Sequence, residues 1–231
     1  LQSLFRYNFR QGLYNHWNVM RTYALADESA LLICSWPHGG RPKVPFPYFS
    51  EVMTGYEYQA AAHMIYEGLV EEGITVVNAI RQRFDGYRRN PWNEQECGHH
   101  YARAMASWAV LLALSGFHYS AVSRQLELVP RWKAEAFHSI WTVPTGWGTV
   151  SQTVEAKKQI VRWDVLTGEL SVQKMRYALP QGKGLCMATP EEPVGAEVVQ
   201  VEQNGSLVGI VLGQPITLTT EKSLVVRMEF D

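Results

Sequence analysis

The apolar periodicity of this chain changes near residue 120, and that change limits the folds it can adopt. Upstream, apolar side chains recur every three to four residues, which is typical of helices. Downstream, they alternate with polar side chains, which is typical of strands with one buried face. We therefore predict a mainly α and then β chain, with a helical domain over residues 1–120 and a β-rich domain of antiparallel hairpins over residues 121–231.

Three helices are predicted in the first domain. The first covers residues 54–70, with Thr54 as its N-cap, and the second covers residues 73–85. The third covers residues 98–115 and ends before Gly116, a good stop for a helix. Its apolar residues lie on nearly every side, which is typical of a helix buried on most faces. Such a helix suits the inner layer of a closed helical array.

The remaining segments are predicted from shorter signals. Residues 1–10 resemble the tail of a helix, residues 30–35 a buried strand, and the proline- and glycine-rich residues 36–47 a long loop. In the second domain, residues 159–175 are predicted to form a hairpin around Thr167-Gly168. A second hairpin is predicted around Asn204-Gly205, followed by a final strand over residues 223–230.

Composition excludes several classes of function. The chain of 231 residues has a formal net charge of −1, so it lacks the basic excess of nucleic-acid-binding proteins. It contains no apolar run of about 18 residues, so no membrane span is predicted. Cys34, Cys97 and Cys186 are too scattered for a disulfide framework or a zinc site, which favours a reducing, cytoplasmic compartment. The chain begins without Met or a signal peptide, and we expect it to be a piece of a larger protein.

Polar and aromatic residues are densest in residues 88–105, just before the third predicted helix. Glu94 and Arg103 are nine residues apart in this segment. If the helix begins near Cys97, Arg103 lies about 9 Å along its axis. A carboxylate that accepts and a guanidinium that donates hydrogen bonds can then converge on adjacent hydroxyls of a sugar. A helix-capping carboxylate with a structural ion pair explains the same spacing and stays open as an alternative.

Other chemistry in this segment is less well supported. Glu94 and Glu96 lie two residues apart in one loop, whereas the acid and base of a glycosidase flank the scissile bond about 5–9 Å apart. Adjacent His99 and His100 diverge on a helix, which disfavours a metal site shared with Cys97. No partner histidine makes Cys97 a nucleophile, and packing explains it equally well. No metal or cofactor is therefore predicted.

Five segments of the sequence closely resemble glycoside hydrolase family 116, which includes β-glucosidases and non-lysosomal glucosylceramidases. They are EGLVEEG (Glu67–Gly73), IRQRFDG (Ile80–Gly86), NPWNEQECGHHYARAMASWAVLLALSGF (Asn90–Phe117), EVMTG (Glu51–Gly55) and GWG (Gly146–Gly148). The resemblance is strongest over about residues 28–150.

The resemblance implies an (α/α)6 barrel, of which this chain would hold the last helices as a partial barrel. It also implies retaining hydrolysis of β-glucoside-type bonds by a carboxylate nucleophile and a carboxylic acid/base. In that family the glutamate of NPWNE and the arginine of HYAR bind glucose hydroxyls, and here these are Glu94 and Arg103. The substrate-binding residues implied are Glu94, Arg103, Trp92, Asn93, Thr54 and Glu51.

The family's nucleophile and acid/base have no matching segment in this chain, so no catalytic residue is assigned. The chain is expected to supply sugar-binding residues to a β-glycosidase completed by its upstream half, on the same precursor or on a partner chain. Alone it is expected to be inactive. The family commonly has Trp at the position of Met53, which leaves the aglycone open. The alternative is a non-catalytic carbohydrate-binding or scaffold subunit on a decayed barrel.

Overall fold

Strands outnumber helices in this protein. The computed structural model describes residues 1–21 and 23–231. In it, 38% of the chain is strand and 22% is helical. The chain divides into two units, Leu1–Leu114 and Ser115–Asp231, each with its own hydrophobic core. Among the described residues, no helix is both long enough and apolar enough to cross a membrane.

The first unit consists of short helices joined by long irregular segments. Its helices are α1 (Gln2–Asn8), α2 (Thr54–Tyr66), α3 (Val70–Arg83) and α4 (Ser107–Ser115), with two 3₁₀ turns at Glu96–His99 and Arg103–Ala106. Two short strands, β1 (Phe9–Arg10) and β2 (Ala30–Leu31), pair antiparallel. As predicted, residues 36–47 form neither helix nor strand.

The predicted partial (α/α)6 barrel is wrong, and so is the description of the chain as mainly α and then β. The described residues contain only four short helices, none longer than the 14 residues of α3, and no helical barrel. Long turns and loops occupy most of residues 11–53, where a barrel would need paired helices. A decayed barrel is excluded as a scaffold for the same reason.

The third predicted helix is also wrong over residues 98–106. Cys97, Gly98 and His99 have φ angles of 50°, 65° and 66°, a region that an α-helix of L-residues does not use. The α-helix therefore begins only at Ser107, and the segment before it turns back on itself. α4 is also less buried than predicted, because Trp108 remains 57% exposed.

The pair α2–α3 lies where the sequence placed it, with two differences at its ends. Thr54 is the first residue of α2 rather than its N-cap, and no side-chain hydrogen bond from a described residue caps that end. The second helix was predicted to begin at Gly73, but α3 begins at Val70, so Gly73 lies inside it. A Cβ atom there would lie 2.6 Å from Ile65 Cγ1 and 2.8 Å from the Ala61 carbonyl, so Gly73 allows the two helices to pack closely.

The second unit is built from two five-stranded sheets. Its strands are β3 (His118–Ser120), β4 (Gln125–Leu128), β5 (Ala136–Val143), β6 (Gly146–Glu155), β7 (Lys158–Gly168), β8 (Leu170–Ala178), β9 (Leu185–Glu192), β10 (Val198–Asn204), β11 (Leu207–Leu218) and β12 (Leu224–Phe230). One sheet has the order β10-β11-β8-β4-β3, and the other β5-β6-β7-β12-β9. All pairs are antiparallel except β4–β8, as expected for an all-β unit with hairpin connections.

The alternation of apolar residues in the second unit matches its burial. Buried side chains form one core, whose largest members are Trp141, Trp163, Tyr177 and Phe230. The predicted hairpin around Asn204-Gly205 and the final strand are confirmed as β10–β11 and β12. The predicted hairpin around Thr167-Gly168 is wrong, because β7 and β8 belong to different sheets. There the turn at Gly168, with a φ of 77°, carries the chain from one sheet to the other.

Candidate functional site

The residues after Asn93 form a tight loop that brings its two ends together. The backbone N–H of Glu94 donates to the carbonyl of Tyr101 at 3.1 Å, which closes the loop. The positive φ angles of Cys97, Gly98 and His99 make this reversal possible. Arg103 therefore lies beside Glu94 without the help of a helix.

Arg103 holds two carboxylates at once. Its Nη1 donates to Glu94 Oε2 at 2.7 Å and to Glu96 Oε2 at 2.5 Å. Its guanidinium also lies 4.1 Å from the centre of the Tyr101 ring, a cation–π contact. The Arg103 stem passes over Gly55, where a Cβ atom would come within 3.3 Å of it. A side chain at position 55 would therefore press on the arginine.

A second arginine, Arg21, extends this network. Its Nε and Nη2 donate to the two oxygens of Glu51 at 3.2 and 3.1 Å, a two-bond fork that a lysine cannot make. Its Nη1 contacts Glu96 Oε1. The rings of Tyr23 and Tyr48 lie 5.3 and 5.1 Å from the guanidinium carbon. Sequence reasoning missed Arg21, because it lies in an irregular stretch without a periodic or motif signal.

We call these five side chains the Glu–Arg cluster: Glu51, Arg21, Glu96, Arg103 and Glu94, in the order in which they contact one another. Three carboxylates therefore share two guanidiniums. The glutamates are buried, with Glu51 0%, Glu94 4% and Glu96 9% exposed. Buried carboxylates need such partners, since an unpaired charge inside a protein is costly.

Burial and charge change the protonation of the cluster. Burial raises the pKa of Glu94, and the hydrogen bond from Arg103 only partly opposes this rise. The hydrogen bonds to Glu51 raise the pKa of Arg21, which stays fully charged. Burial and the Glu96 carboxylate raise the pKa of Tyr23 to about 12. Burial therefore favours the neutral form of the Glu94 carboxyl group.

The other residues predicted for the site are distributed around the cluster. Thr54 is buried at the start of α2, and its hydroxyl finds no hydrogen-bond partner among the described residues. Trp92 is 75% exposed. Asn93 Oδ1 lies 3.3 Å from His99 Nδ1. The structure thus brings Glu94, Arg103 and Glu51 into one network, with Thr54 and Trp92 outside it.

Cys97, His99 and His100 are all exposed. His100 Nδ1 lies 3.0 Å from the Cys97 carbonyl, so its contact is with the backbone of its own loop. In the part of the chain that the structure describes, no group of three His, Cys, Asp or Glu residues is placed to hold a metal ion. The three cysteines are free.

A second buried ion pair lies beside the cluster. Glu57 and Arg83 are each 1% exposed and contact each other. Glu57 Oε1 also accepts the backbone N–H of Leu31 at 2.9 Å, and Arg83 contacts the carbonyl of Ser29. These bonds connect α2 and α3 to the loop around β2. Sequence reasoning missed this pair, since Glu57 and Arg83 lie 26 residues apart on two different helices.

Two solved structures show a distant likeness to this chain. One is an α-L-rhamnosidase of Streptomyces avermitilis complexed with L-rhamnose, with a TM-score of 0.31 and 12% identity, covering 56% of this chain and 11% of that chain. The other is an α-L-rhamnosidase from Dictyoglumus thermophilum, with a TM-score of 0.34 and 12% identity, covering 74% of this chain and 25% of that chain. The chain therefore spans a quarter or less of either enzyme, and a likeness this weak carries no argument about its activity.

No protein-family model matches the sequence, and no significant match appears among curated proteins. Both of these structures are α-L-rhamnosidases. The resemblance to glycoside hydrolase family 116 depends on the sequence motifs alone.

Proposed function

We propose that this chain supplies the sugar-binding residues of a retaining β-glycosidase, with a β-glucoside-like ligand. Glu94 accepts a hydrogen bond from one sugar hydroxyl, and Arg103 donates to its neighbour. The nucleophile and the acid/base are contributed by another part of the enzyme, on the same precursor or on a partner chain. The motifs around Glu94 and Arg103 support this assignment of roles, since the matching residues of family 116 bind glucose.

The observation that carries the proposal is the unused hydrogen-bonding capacity of Glu94. Its Oε2 accepts from Arg103, but its buried Oε1 has no hydrogen-bond partner among the described residues. A buried acceptor without a donor destabilises the ligand-free protein. Binding removes this cost when a ligand hydroxyl donates to the acceptor, which favours the complex. Arg103 keeps further N–H donors, because only its Nη1 bonds to Glu94 and Glu96. One acceptor and one donor side by side suit a sugar diol.

The site as described is closed, so binding requires a local movement. Glu94 is 4% exposed, while Arg103 is partly exposed at the side-chain level, by 23%. The loop over Gln95–His100 is mostly exposed and consists of a short 3₁₀ turn with strained backbone angles. We propose that this loop shifts outward to admit the sugar. Trp92, 75% exposed at its edge, then offers a flat ring to the apolar face of the sugar.

Glu51 acts in this proposal through other residues rather than on the ligand. It holds Arg21, which contacts Glu96, which in turn holds Arg103. Glu51 is fully buried, so its contribution is to fix the position of Arg103.

A second candidate function is a non-catalytic carbohydrate-binding subunit. The observation that favours it is that Glu51, Glu94 and Glu96 are all buried and all held by arginines. None of the three is placed as a free nucleophile. Mass spectrometry of native material separates the two candidates. A co-purifying chain that carries the catalytic carboxylates indicates the glycosidase, whereas an isolated chain that binds sugar without hydrolysing an aryl β-glucoside indicates the binding subunit.

Isothermal titration calorimetry with methyl β-D-glucoside tests the sugar-binding role. Glu94→Gln keeps the shape of the side chain but removes the charged acceptor. We expect this variant to bind the glucoside more weakly by about 1–3 kcal/mol, because a hydrogen bond to a buried charged group is lost. The charge balance of the cluster improves in the variant, so its fold should be retained.

Glu155→Gln is the matched control. Glu155 lies on β6 in the second unit and pairs with Lys158 at 2.9 Å, with its side chain 57% exposed. This substitution should leave the affinity unchanged. If Glu94→Gln and Glu155→Gln both bind the glucoside as the unaltered chain does, Glu94 is not a sugar ligand. If the unaltered chain binds no β-glucoside in the presence of its co-purifying partner, the proposed function is wrong.

A further inference from the structure

We infer that a small recess beside Glu94 is a binding site for a single hydroxyl group, held by Thr54, Arg83 and Glu94. The recess is lined by Tyr23, Val52, Thr54, Arg83, Phe84, Glu94 and Gln95. Three of these residues each have a buried polar atom that finds no partner among the described residues: Thr54 Oγ1, Arg83 Nε and Glu94 Oε1. The three unsatisfied atoms belong to residues that line the same recess, and we infer that one group is missing there.

The three side chains are held in place by their other contacts. Arg83 is 1% exposed, and its two terminal nitrogens contact Glu57 and the Ser29 carbonyl, so its Nε is the donor left over. Glu94 is held through Oε2 by Arg103, which leaves Oε1. Thr54 is 6% exposed and begins α2 without capping it. The unsatisfied atoms therefore belong to residues with little freedom to find another partner.

The chemistry of the three atoms defines what the recess binds. Arg83 Nε only donates, the carboxylate oxygen of Glu94 only accepts, and the Thr54 hydroxyl does both. A group that satisfies all three must accept one hydrogen bond and donate another. A hydroxyl group does so, whereas a simple anion would be repelled by Glu94 and a metal cation by Arg83. Two sources supply this chemistry, a water molecule and the hydroxyl of a sugar.

The size of the recess sets how the group enters. As it stands, the recess is too narrow to hold a water molecule. A buried water needs a cavity in which its centre has about 10–15 Å³ of free space. Gln95 is the exposed member of the lining, so its outward shift opens the recess from the solvent side. Gln95 belongs to the same loop, Gln95–His100, that the sugar-binding proposal requires to open.

A high-resolution crystal structure of the ligand-free chain tests the recess without any assumption about sugar. We expect Gln95 to be shifted outward there and an electron-density peak of one water molecule to lie within hydrogen-bonding distance of Thr54 Oγ1, Arg83 Nε and Glu94 Oε1. In Thr54→Val, which keeps the volume but removes the hydroxyl, the occupancy of this peak should fall. Thr54→Ser should retain it, because the hydroxyl is kept.

A second measurement tests the sugar as the source, and this arm depends on the proposed function. Methyl β-D-glucoside and its four monodeoxy analogues are titrated against the unaltered chain, Thr54→Val and Thr54→Ser. If a sugar hydroxyl occupies the recess, Thr54→Val weakens binding of the parent glucoside roughly tenfold and Thr54→Ser restores it. For the analogue that lacks this hydroxyl, Thr54→Val has no further effect. Thr75→Val serves as the control, since the Thr75 hydroxyl bonds to Glu71 on the exposed face of α3.

The outcomes separate the two proposals. A water peak with glucoside affinities that Thr54→Val leaves unchanged assigns the recess to water. If Thr54→Val weakens binding of the parent glucoside but not of one deoxy analogue, the recess is assigned to the hydroxyl that this analogue lacks. The inference is overturned if the recess is empty in the crystal and Thr54→Val weakens binding of no glucoside. This holds even if Glu94→Gln still weakens sugar binding. If no glucoside binds at all, the proposed function fails, and the crystal structure alone decides the recess.

Discussion

The two units of this protein are held together by different means. The second unit has a large apolar core, and within Ser115–Asp231, all of which the structure describes, no charged side chain is buried. The first unit has smaller apolar clusters and buries Glu28, Glu51, Glu57, Arg83, Glu94 and Glu96. An apolar core tolerates exchanges between apolar side chains of similar volume, whereas a buried charge requires a particular partner. The proposed binding site lies among the buried charges of the first unit.

Two indole groups of the second core are satisfied within it, although Gln159 Oε1 in the same unit has no hydrogen-bond partner among the described residues. Trp163 Nε1 donates to the hydroxyl of Tyr177 at 3.2 Å, and Trp141 Nε1 donates to the Thr149 carbonyl at 3.1 Å. Burial raises the pKa of Tyr177, so this hydroxyl stays neutral. In the first unit, Thr54 Oγ1, Arg83 Nε and Glu94 Oε1 have no partner among the described residues, and all three belong to residues that line one recess.

The largest effect is expected where the first unit loses one half of its buried ion pair. Arg83→Met should lower the free energy of unfolding of the first unit by about 3–5 kcal/mol, because the substitution leaves the Glu57 carboxylate buried without a cation. Adding Glu57→Gln in the same chain should recover part of the loss, since the unpaired charge is gone. Hydrogen exchange followed by mass spectrometry reports the opening of α2 and α3 separately from the second unit.

The exposed pair Arg227–Glu191 in the second unit is the control. It is made at 2.7 Å by side chains that are 39% and 35% exposed, and Arg227→Met should cost at most about 1 kcal/mol. If Arg83→Met costs no more than Arg227→Met, buried charge does not hold the first unit together, and the contrast between the units is lost.

The second unit should respond to the loss of apolar volume. Leu126 is fully buried on β4, and Leu126→Ala should lower the free energy of unfolding of this unit by about 2–5 kcal/mol. Because no charge is involved, the loss should be the same at low and high salt in urea denaturation. Val122→Ala, at a fully exposed position, should be nearly neutral. A salt-dependent loss in Leu126→Ala would contradict a purely apolar core.

The smallest effect is a pH dependence of the first unit. Burial raises the folded-state pKa of Glu94 above its ordinary value of 4.5, so the folded chain holds this proton more tightly than the unfolded chain does. The stability that Glu94 contributes is therefore present below pH 4.5 and is lost as the pH rises through the raised pKa. In Glu94→Gln this pH-dependent loss of stability is absent, because an amide does not titrate.

Thermal unfolding at a series of pH values checks this prediction. The stability of Glu94→Gln relative to the unaltered chain should increase as the pH rises from 4 to 7. A relative stability that decreases over the same range would mean that Arg103 outweighs burial and lowers the pKa of Glu94. The control Glu155→Gln should show no such trend, because the Glu155 side chain is 57% exposed.

The parts of the fold that depend on local periodicity could be predicted from the sequence. α2, α3, the β10–β11 hairpin and β12 follow directly from apolar spacing and an Asn-Gly turn. The failures have physical causes that periodicity does not contain. The third predicted helix fails over residues 98–106, because three consecutive residues adopt positive φ. The hairpin at Thr167-Gly168 fails, because the same turn residues also connect strands of two sheets.

In the candidate site, too, contacts between residues close in the sequence were predicted and contacts between distant residues were not. Glu94 and Arg103 were singled out together, and the structure places them 2.7 Å apart, although through a folded-back loop rather than through a helix. Their binding of sugar stays a prediction. Arg21 and Arg83 could not be found from the sequence, because their partners Glu51 and Glu57 lie 30 and 26 residues away and pairing over such distances follows no local rule.

The central claim is that the Glu–Arg cluster binds a sugar, and chemical-shift mapping tests it most directly. The ¹⁵N-labelled chain, with any co-purifying partner present, is titrated with methyl β-D-glucoside. We predict that the perturbed amides lie in residues 51–55 and 92–103, and that Glu94→Gln abolishes or strongly weakens these changes. Perturbations confined to the second unit, or equal in the unaltered chain and in Glu94→Gln, would contradict the claim.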